Sequence, residues 1–355
     1  MSELNFVKKL EEREQTNSLR NLNLDKGLID FCSNDYLGHS KLKWIENDEL
    51  KGASGSRLIS GNHPIHEQAE KFIANYHQQE AALLFNSGYD ANLGLLSCIA
   101  QKNDTIIYDS LSHASIRDGI RLSNSRSFSF KHNDKEDLLS KIKQSTGQCF
   151  VVVESIYSMD GDKANLKEIE EICESNNALL IVDEAHATGV FGEKGEGLCT
   201  SISTFARVHT FGKSLGCHGA VVLGSATLIK FLINFSRSFI YTTAIAPNSV
   251  STILQSYQHM QSSQATNQLR ENINLFIEQI NHQNWLKSDS AIQSILIPGN
   301  QNTKKAAKEI QEKGFDVRPI LHPTVEKGKE RLRICIHSFN KKEDITLLCQ
   351  LLNQI

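Results

Sequence analysis

The middle of the chain alternates short apolar, β-branched runs with amphipathic helical patterns, and this alternation limits the fold more than any other feature. CFVVVES (149–155) reads as a strand, LKEIEEICESNN (166–177) as a helix with Leu166, Ile169, Ile172 and Cys173 on one face, and ALLIVDEA (178–185) as the next strand. VHTFG (208–212) and GAVVLGS (219–225) continue the series. Strands that are apolar at consecutive positions need cover on both faces. The pattern therefore predicts an α/β fold with a mostly parallel central sheet flanked by helices.

The texture changes after Ser249. A polar helical stretch over roughly 250–282 leads to the strand AIQSILIPG and then to the helix KKAAKEIQEKG, which Gly314 closes as a C-terminal cap. FDVRPI and RLRICIHS read as strands and KKEDITLLCQLL as a last helix. This predicts a smaller C-terminal α+β domain. At the other end, MSELNFVKKLEEREQ spaces Leu4, Val7 and Leu10 as an amphipathic helix and lacks the apolar core of a signal peptide. The expected division is an N-terminal helix and arm (1–45), a large domain (46–248), and a small domain with a long linking helix (249–355).

Bulk properties exclude several classes of function. A hydrophobic content of 39%, a charged content of 22% and 5 prolines in 355 residues fit a folded chain with a sizeable core. A net charge of −3 gives no basic footprint for nucleic acid. No window approaches the ~20 apolar residues that span a bilayer, so a cytoplasmic protein with no membrane span is expected. The 8 cysteines are scattered without a C-x-x-C pair and read as buried thiols, with no metal site expected.

Two motifs invite an ATPase reading: GKS within TFGKSLG (210–216), and DEAH beginning thirty residues before Lys213. A phosphate-binding P-loop needs a glycine five residues before Gly212, where the chain has Arg207, and the carboxylate motif precedes the lysine. Both departures argue against an ATP-driven function, whose mark would be ATP hydrolysis stimulated by nucleic acid.

Each remaining motif has two readings. Asp183 and His186 end a strand, where ligands collect in open α/β sheets; a turn cap and a packed histidine would look the same. FNSGYDANLG (85–94) puts the amides of Gly88 and Tyr89 at a helix N-terminus, which is either a phosphate seat or an ordinary turn. GASGSRLISGNHPIH (52–66) follows no strand and reads as a loop over a site, not as a dinucleotide fingerprint. Arg331 and Arg333 share a strand face at period two, either to bind an anion or as surface charges.

Taken in order, SNDYLG (33–38), GSRLISG (55–61), the Gly88 turn, SHAS (112–115), ESIYSMDGD (154–162), DEAHATG (183–189), TFGKSLG, FIYTTAIAP (239–247), and RPILHPTV followed by RLRI (318–334) resemble the fold-type I pyridoxal-phosphate enzymes. More narrowly they resemble the α-oxoamine synthases, from about residue 17 to 335. The resemblance implies a fold-type I transferase with pyridoxal 5'-phosphate held on Lys213 as a Schiff base, and with Lys213 also the base at Cα. It implies Asp183 at the ring nitrogen, His186 at the phenolic oxygen, and His113 on the ring face and against substrate. Gly88, Tyr89, Ser158 and Thr210 would hold the polar periphery and phosphate, with Thr243 reaching the phosphate from the partner of a homodimer. Arg333 and Asn34 would take the substrate carboxylate, and Arg20 and Thr324 would also meet substrate.

The implied reaction is a decarboxylative condensation of an amino acid with an acyl-CoA or acyl-carrier-protein thioester, giving an α-amino ketone. Members pair alanine with a pimeloyl thioester, glycine with acetyl-CoA, serine with palmitoyl-CoA, or glycine with succinyl-CoA. The short chain and Arg20 favour the first, the biotin-pathway pairing; glycine with acetyl-CoA and serine with palmitoyl-CoA are the alternatives. Three departures bear on the acyl donor: Asn340 stands where many relatives have histidine, Ala246-Pro247 where many have two prolines, and the N-terminal segment is short.

Overall fold

The computed structural model describes every residue except 1, 2, 23, 25, 26, 46 and 47, and leaves out the side chain of residue 4. The chain forms two compact units: Asp35–Tyr157 with Lys163–Thr266, and Met1–Asn34 with Ser158–Asp162 and Asn267–Ile355. Strand β1 (Ile29–Asp30) lies in the smaller unit. The larger unit holds β2 (Ala81–Phe85), β3 (Thr105–Asp109), β4 (Arg126–Phe130), β5 (Cys149–Glu154), β6 (Leu179–Asp183), β7 (Ala206–Thr210) and β8 (Ala220–Gly224).

These seven strands form one sheet in the order β2-β8-β7-β6-β5-β3-β4. Only β8 runs antiparallel to its neighbours, β2 and β7. Its reversal follows from the short 211–219 connection, since a parallel return needs a crossover of a dozen or more residues. Along the central strands the side chains divide by parity. Phe150, Val152, Ile106 and Ile181 pack on one face with Leu95, Leu96, Ile116 and Leu232. Val151, Val153, Ile107, Leu180 and Val182 pack on the other with Leu138, Leu166, Ile169 and Cys173. Both faces are therefore core, and each such aliphatic side chain contributes roughly 1.5–3 kcal/mol on burial. Helices 88–99 and 114–122 cross on the first face at Gly119, where a Cβ would lie 2.9 Å from the Asn92 carbonyl oxygen and 3.0 Å from the Leu96 Cβ.

The smaller unit carries β9 (Trp285–Leu286), β10 (Ile292–Leu296), β11 (Phe315–Asp316), β12 (Arg318–Ile320) and β13 (Arg331–Cys335). Its antiparallel sheet has the order β12-β13-β10-β9, and β1 pairs in parallel with β11. The observed bounds differ from the expected ones at 45 and 248. Residues up to Asn34 join the C-terminal unit through the β1–β11 pair and a bond from the Cys335 N–H to the Phe31 carbonyl (2.8 Å). The polar stretch at 250–282 is two helices, Pro247–Ser262 and Ala265–Gln279, broken where Ser263 turns extended (ψ 163). The first of these belongs to the larger unit and buries Val250, Ile253, Tyr257 and Met260.

The N-terminal helix spans Leu4–Gln15, with Phe6, Val7 and Leu10 exposed in the single chain; the side chain of Leu4 lies outside the described residues. All eight cysteines are free thiols, five of them buried, and burial pushes Cys98, Cys173 and Cys349 up to about 12. Among the described residues no group of histidine, cysteine or carboxylate side chains is placed to hold a metal ion. No helix among them is long and apolar enough to cross a membrane.

Candidate active site

Asp183 is the last residue of β6 and is buried. One carboxylate oxygen accepts from the Asn92 side-chain amide (2.7 Å) and the other from the Ala185 N–H (2.8 Å). Asn92 comes from helix 88–99, which begins directly after β2 and is capped by Ser87, whose hydroxyl accepts from the Asp90 N–H (3.1 Å). Ala91, Leu95 and Leu96 bury the same helix against the sheet, and that packing turns Asn92 inward.

His113 caps the next helix, 114–122. Its N–H donates to Glu154 Oε1 (2.6 Å), and its Nδ1 lies 3.2 Å from the Ser115 N–H nitrogen and 2.8 Å from the Ser115 hydroxyl. Ser115 in turn accepts from Asn92 (3.0 Å). Glu154 ends β5 beside Asp183 in register. Burial and the nearby Asp183 carboxylate push its carboxyl up to about 8, against the His113 N–H and the Lys213 charge. The His113 imidazole is held below its ordinary value by desolvation first and by Lys213 as well, while Asp183 and Asp118 oppose.

His186, in the turn after β6, is buried and shares a 2.8 Å hydrogen bond through Nδ1 with the hydroxyl of fully buried Tyr36. Lys213 stands three residues past the end of β7, in a turn closed by the Gly216 N–H on the Lys213 carbonyl (2.9 Å) and the Cys217 N–H on the Phe211 carbonyl (2.8 Å). Gly216 sits at φ +58 with the backbone of His39 and Ser40 against its α-carbon, so no side chain fits there. Lys213 lies within electrostatic reach of both His113 and Glu154.

Gly88 and Tyr89 are the first residues of helix 88–99, whose leading N–H groups have no partner within the helix. A Cβ on Gly88 would be 3.4 Å from Thr210 Cβ, so the end of β7 abuts this helix N-terminus. The Tyr89 ring is turned outward, its hydroxyl bonded to Asp118. Thr243 is exposed, and its carbonyl accepts from the Asn86 amide (2.9 Å), two residues before Gly88.

In the smaller unit Arg333 is buried in β13. Its Nε donates to the Ser158 carbonyl (2.7 Å) and its Nη2 to Asn34 Oδ1 (2.9 Å). Arg331, on the same face, pairs with Asp160. Arg20 donates to the Thr324 hydroxyl (3.0 Å) on the surface. Asn340 is buried and committed to packing: its Oδ1 accepts from the His337 N–H (2.7 Å) and its Nδ2 donates to the Asp30 carbonyl (2.9 Å).

Four residues of the site are not legible as such in the sequence. Tyr36, Asn92, Ser115 and Glu154 lie in or beside the family motifs, and two of them carry a usable signal. Glu154 is a carboxylate ending an apolar strand, as Asp183 is, and Asn92 is a polar residue among buried apolar positions of its helix.

The fold and the strand-end arrangement of Asp183 and Lys213 define a class of protein that comparison with known sequences makes explicit. The sequence pattern of the aminotransferase class I and II family matches residues 26–352, and the chain belongs to that family. Within it, the chain is 36% identical over 364 residues to the 8-amino-7-oxononanoate synthase of Emericella nidulans, covering 91% of this chain and 88% of that one. Among solved structures, a serine palmitoyltransferase from Sphingomonas wittichii superposes with a TM-score of 0.90 at 25% identity over 99% of this chain and 97% of that one. The 8-amino-7-oxononanoate synthase from Francisella tularensis superposes with a TM-score of 0.77 at 28% identity over 93% and 98%.

Proposed function

We propose that the chain is a pyridoxal-phosphate-dependent α-oxoamine synthase that condenses L-alanine with a pimeloyl thioester of coenzyme A or carrier protein to 8-amino-7-oxononanoate. The observation that carries this reading is Asp183, held by Asn92 and the Ala185 N–H at the end of β6, with Lys213 just past the end of the adjacent β7.

The donor set fits the cofactor in kind: a carboxylate for a protonated ring nitrogen, a lysine amine, and a helix N-terminus beside a threonine for the phosphate. When bound, pyridoxal phosphate supplies an electron sink for charge developing at the substrate Cα. Asp183 would hold the proton at the ring nitrogen, and His186, oriented by Tyr36, would donate to the phenolic oxygen. His113 would lie against the ring, the Gly88 and Tyr89 amides, Thr210 and Ser158 would hold the phosphate and polar periphery, and Thr243 would reach the phosphate from the partner subunit. Lys213 Nζ would bind the cofactor covalently and then move the Cα proton. Arg333, pre-oriented by Asn34 and the Ser158 carbonyl, would take the substrate carboxylate, and Arg20 with Thr324 the acyl side.

The names of the relatives favour the alanine and pimeloyl pairing, and the Sphingomonas wittichii likeness favours serine with palmitoyl-CoA as the second reading. A matrix of amino acids against acyl thioesters, run on a size-fractionated preparation, tests it. Thiol release with alanine and pimeloyl thioester from a homodimer is expected. Strong preference for glycine with acetyl-CoA, or for serine with palmitoyl-CoA, would reassign the substrates. A preparation whose absorbance ignores borohydride would overturn the cofactor.

A further inference from the structure

We infer that Asn92 and Ser115 form a relay that ties Asp183 to His113 and fixes His113 as the neutral imidazole protonated at Nε2, so that this ring offers its site a hydrogen-bond donor and not a base. The inference rests on the functional reading only in taking His113 to face cofactor or substrate.

The direction of every bond in the relay follows from groups whose chemistry is not in question. A backbone N–H can only donate, so the Ser115 N–H on His113 Nδ1 (3.2 Å) makes that nitrogen an acceptor without a proton. The Asn92 NH2 donates to the Asp183 carboxylate at 2.7 Å. The second hydrogen of the same NH2 goes to the Ser115 hydroxyl oxygen at 3.0 Å. With its oxygen engaged as an acceptor, the Ser115 hydroxyl donates its own hydrogen to Nδ1 at 2.8 Å. Two donors therefore converge on Nδ1, and the imidazole proton is left on Nε2. No hydrogen bond from Nε2 to the described residues is present, and the residue is exposed.

The surroundings agree. Asn92 and Ser115 are 3% and 1% exposed, so neither bond competes with bulk water. Helices 88–99 and 114–122, which carry them, approach closely because residue 119 is glycine. The charged groups around the His113 ring are Asp183, Lys213 and Asp118, and the Glu154 carboxyl holds its backbone N–H. Asp183 is thus both the partner expected for the ring nitrogen and, through two buried side chains, the anchor of the residue expected on the ring face. Asn92 and Ser115 are positioning residues: they act through Asp183 and His113.

Histidine-labelled full-length protein tests the relay by nitrogen NMR, with the His113 resonances assigned from His113→Asn. The wild type should show a pyridine-type Nδ1 and a pyrrole-type Nε2 at neutral pH. Ser115→Ala and Asn92→Ala should each move the tautomer ratio toward Nδ1–H by roughly 3- to 10-fold, the equivalent of one lost hydrogen bond. Ser115→Thr, which keeps the hydroxyl, should restore the wild-type ratio and so separates the relay from loss of fold. An Nδ1–H tautomer in the wild type, or a ratio that neither alanine variant moves, would overturn the inference. Borohydride reduction of the same preparation reports the cofactor separately, so a failed relay and a failed cofactor assignment are distinguishable.

Discussion

In the larger unit Asp183, Asn92, Ser115 and His113 hold one another through side-chain bonds, whereas in the smaller unit Arg333 is held by the Ser158 carbonyl and Asn34, and Arg331 by Asp160. The difference follows from what each group must be told by its neighbours. Burial shifts the titration of an imidazole, so its surroundings have to set its protonation state and tautomer as well as its direction. A guanidinium stays charged, and acceptors that aim its planar fork are sufficient. One unit controls protons, and the other controls geometry.

The strongest way to break this division is Lys213→Ala. It should lower turnover by at least roughly 10^3-fold, as removal of a group that is both covalent anchor and base does. Thermal unfolding should stay close to wild type, because Lys213 lies in a turn past the end of β7 and not among the buried core side chains. Measurable turnover near wild type would move proton control out of the larger unit altogether.

Arg333→Lys sharpens the other half. It keeps the charge and removes the fork, leaving Asn34 and the Ser158 carbonyl without their shared donor group. KM for the amino acid should rise by roughly 10- to 100-fold with a smaller change in kcat, measured by steady-state kinetics. An unchanged KM would mean that charge alone is what this unit provides.

A last test separates the units by acid stability. In the larger unit burial lowers His39 to about 4 and His77 to about 3, and holds His209 well below its ordinary value. These rings ionise near 6.5 when unfolded, so below that pH the unfolded chain binds protons the folded chain refuses. Stability should fall as pH drops from about 6.5 toward 4, by roughly 1 kcal/mol per pH unit for each such histidine. In the smaller unit burial would raise Asp30, but the His337 charge and bonds from Ser33 and Cys32 outweigh it and hold the carboxyl low. That contribution is present above its unfolded value of 3.8 and is lost only below it. Amide protection factors, corrected for the intrinsic pH dependence of exchange, should therefore fall in β7, which carries His209, at pH 5 relative to pH 7.5 while those of β13 hold. Equal loss in both units would contradict the contrast.

Much of this arrangement is legible in the order of residues. Alternating apolar strands and helices mark out β5 to β8, and strand ends locate Asp183 and the Lys213 turn. Less legible are the reversal of β8, set by the length of one connection, and the break at Ser263, where burial of one helix against the larger unit overrides a continuous helical pattern. Asn340 raises a question about the acyl donor when read as a substitution; in space it is a buried tie between His337 and Asp30.

Sequence alone determined which residue types sit at the ends of the apolar strands, because side-chain alternation and helix periodicity are local properties of the chain. It also determined the order of motifs that marks the family. Only the tertiary structure decided which of those residues hold one another. Asn92 meets Asp183 from 91 residues away, and Arg333 meets Asn34 from 299. A hydrogen bond depends on a separation of about 3 Å in space, and neither strand nor helix periodicity carries that information across a fold.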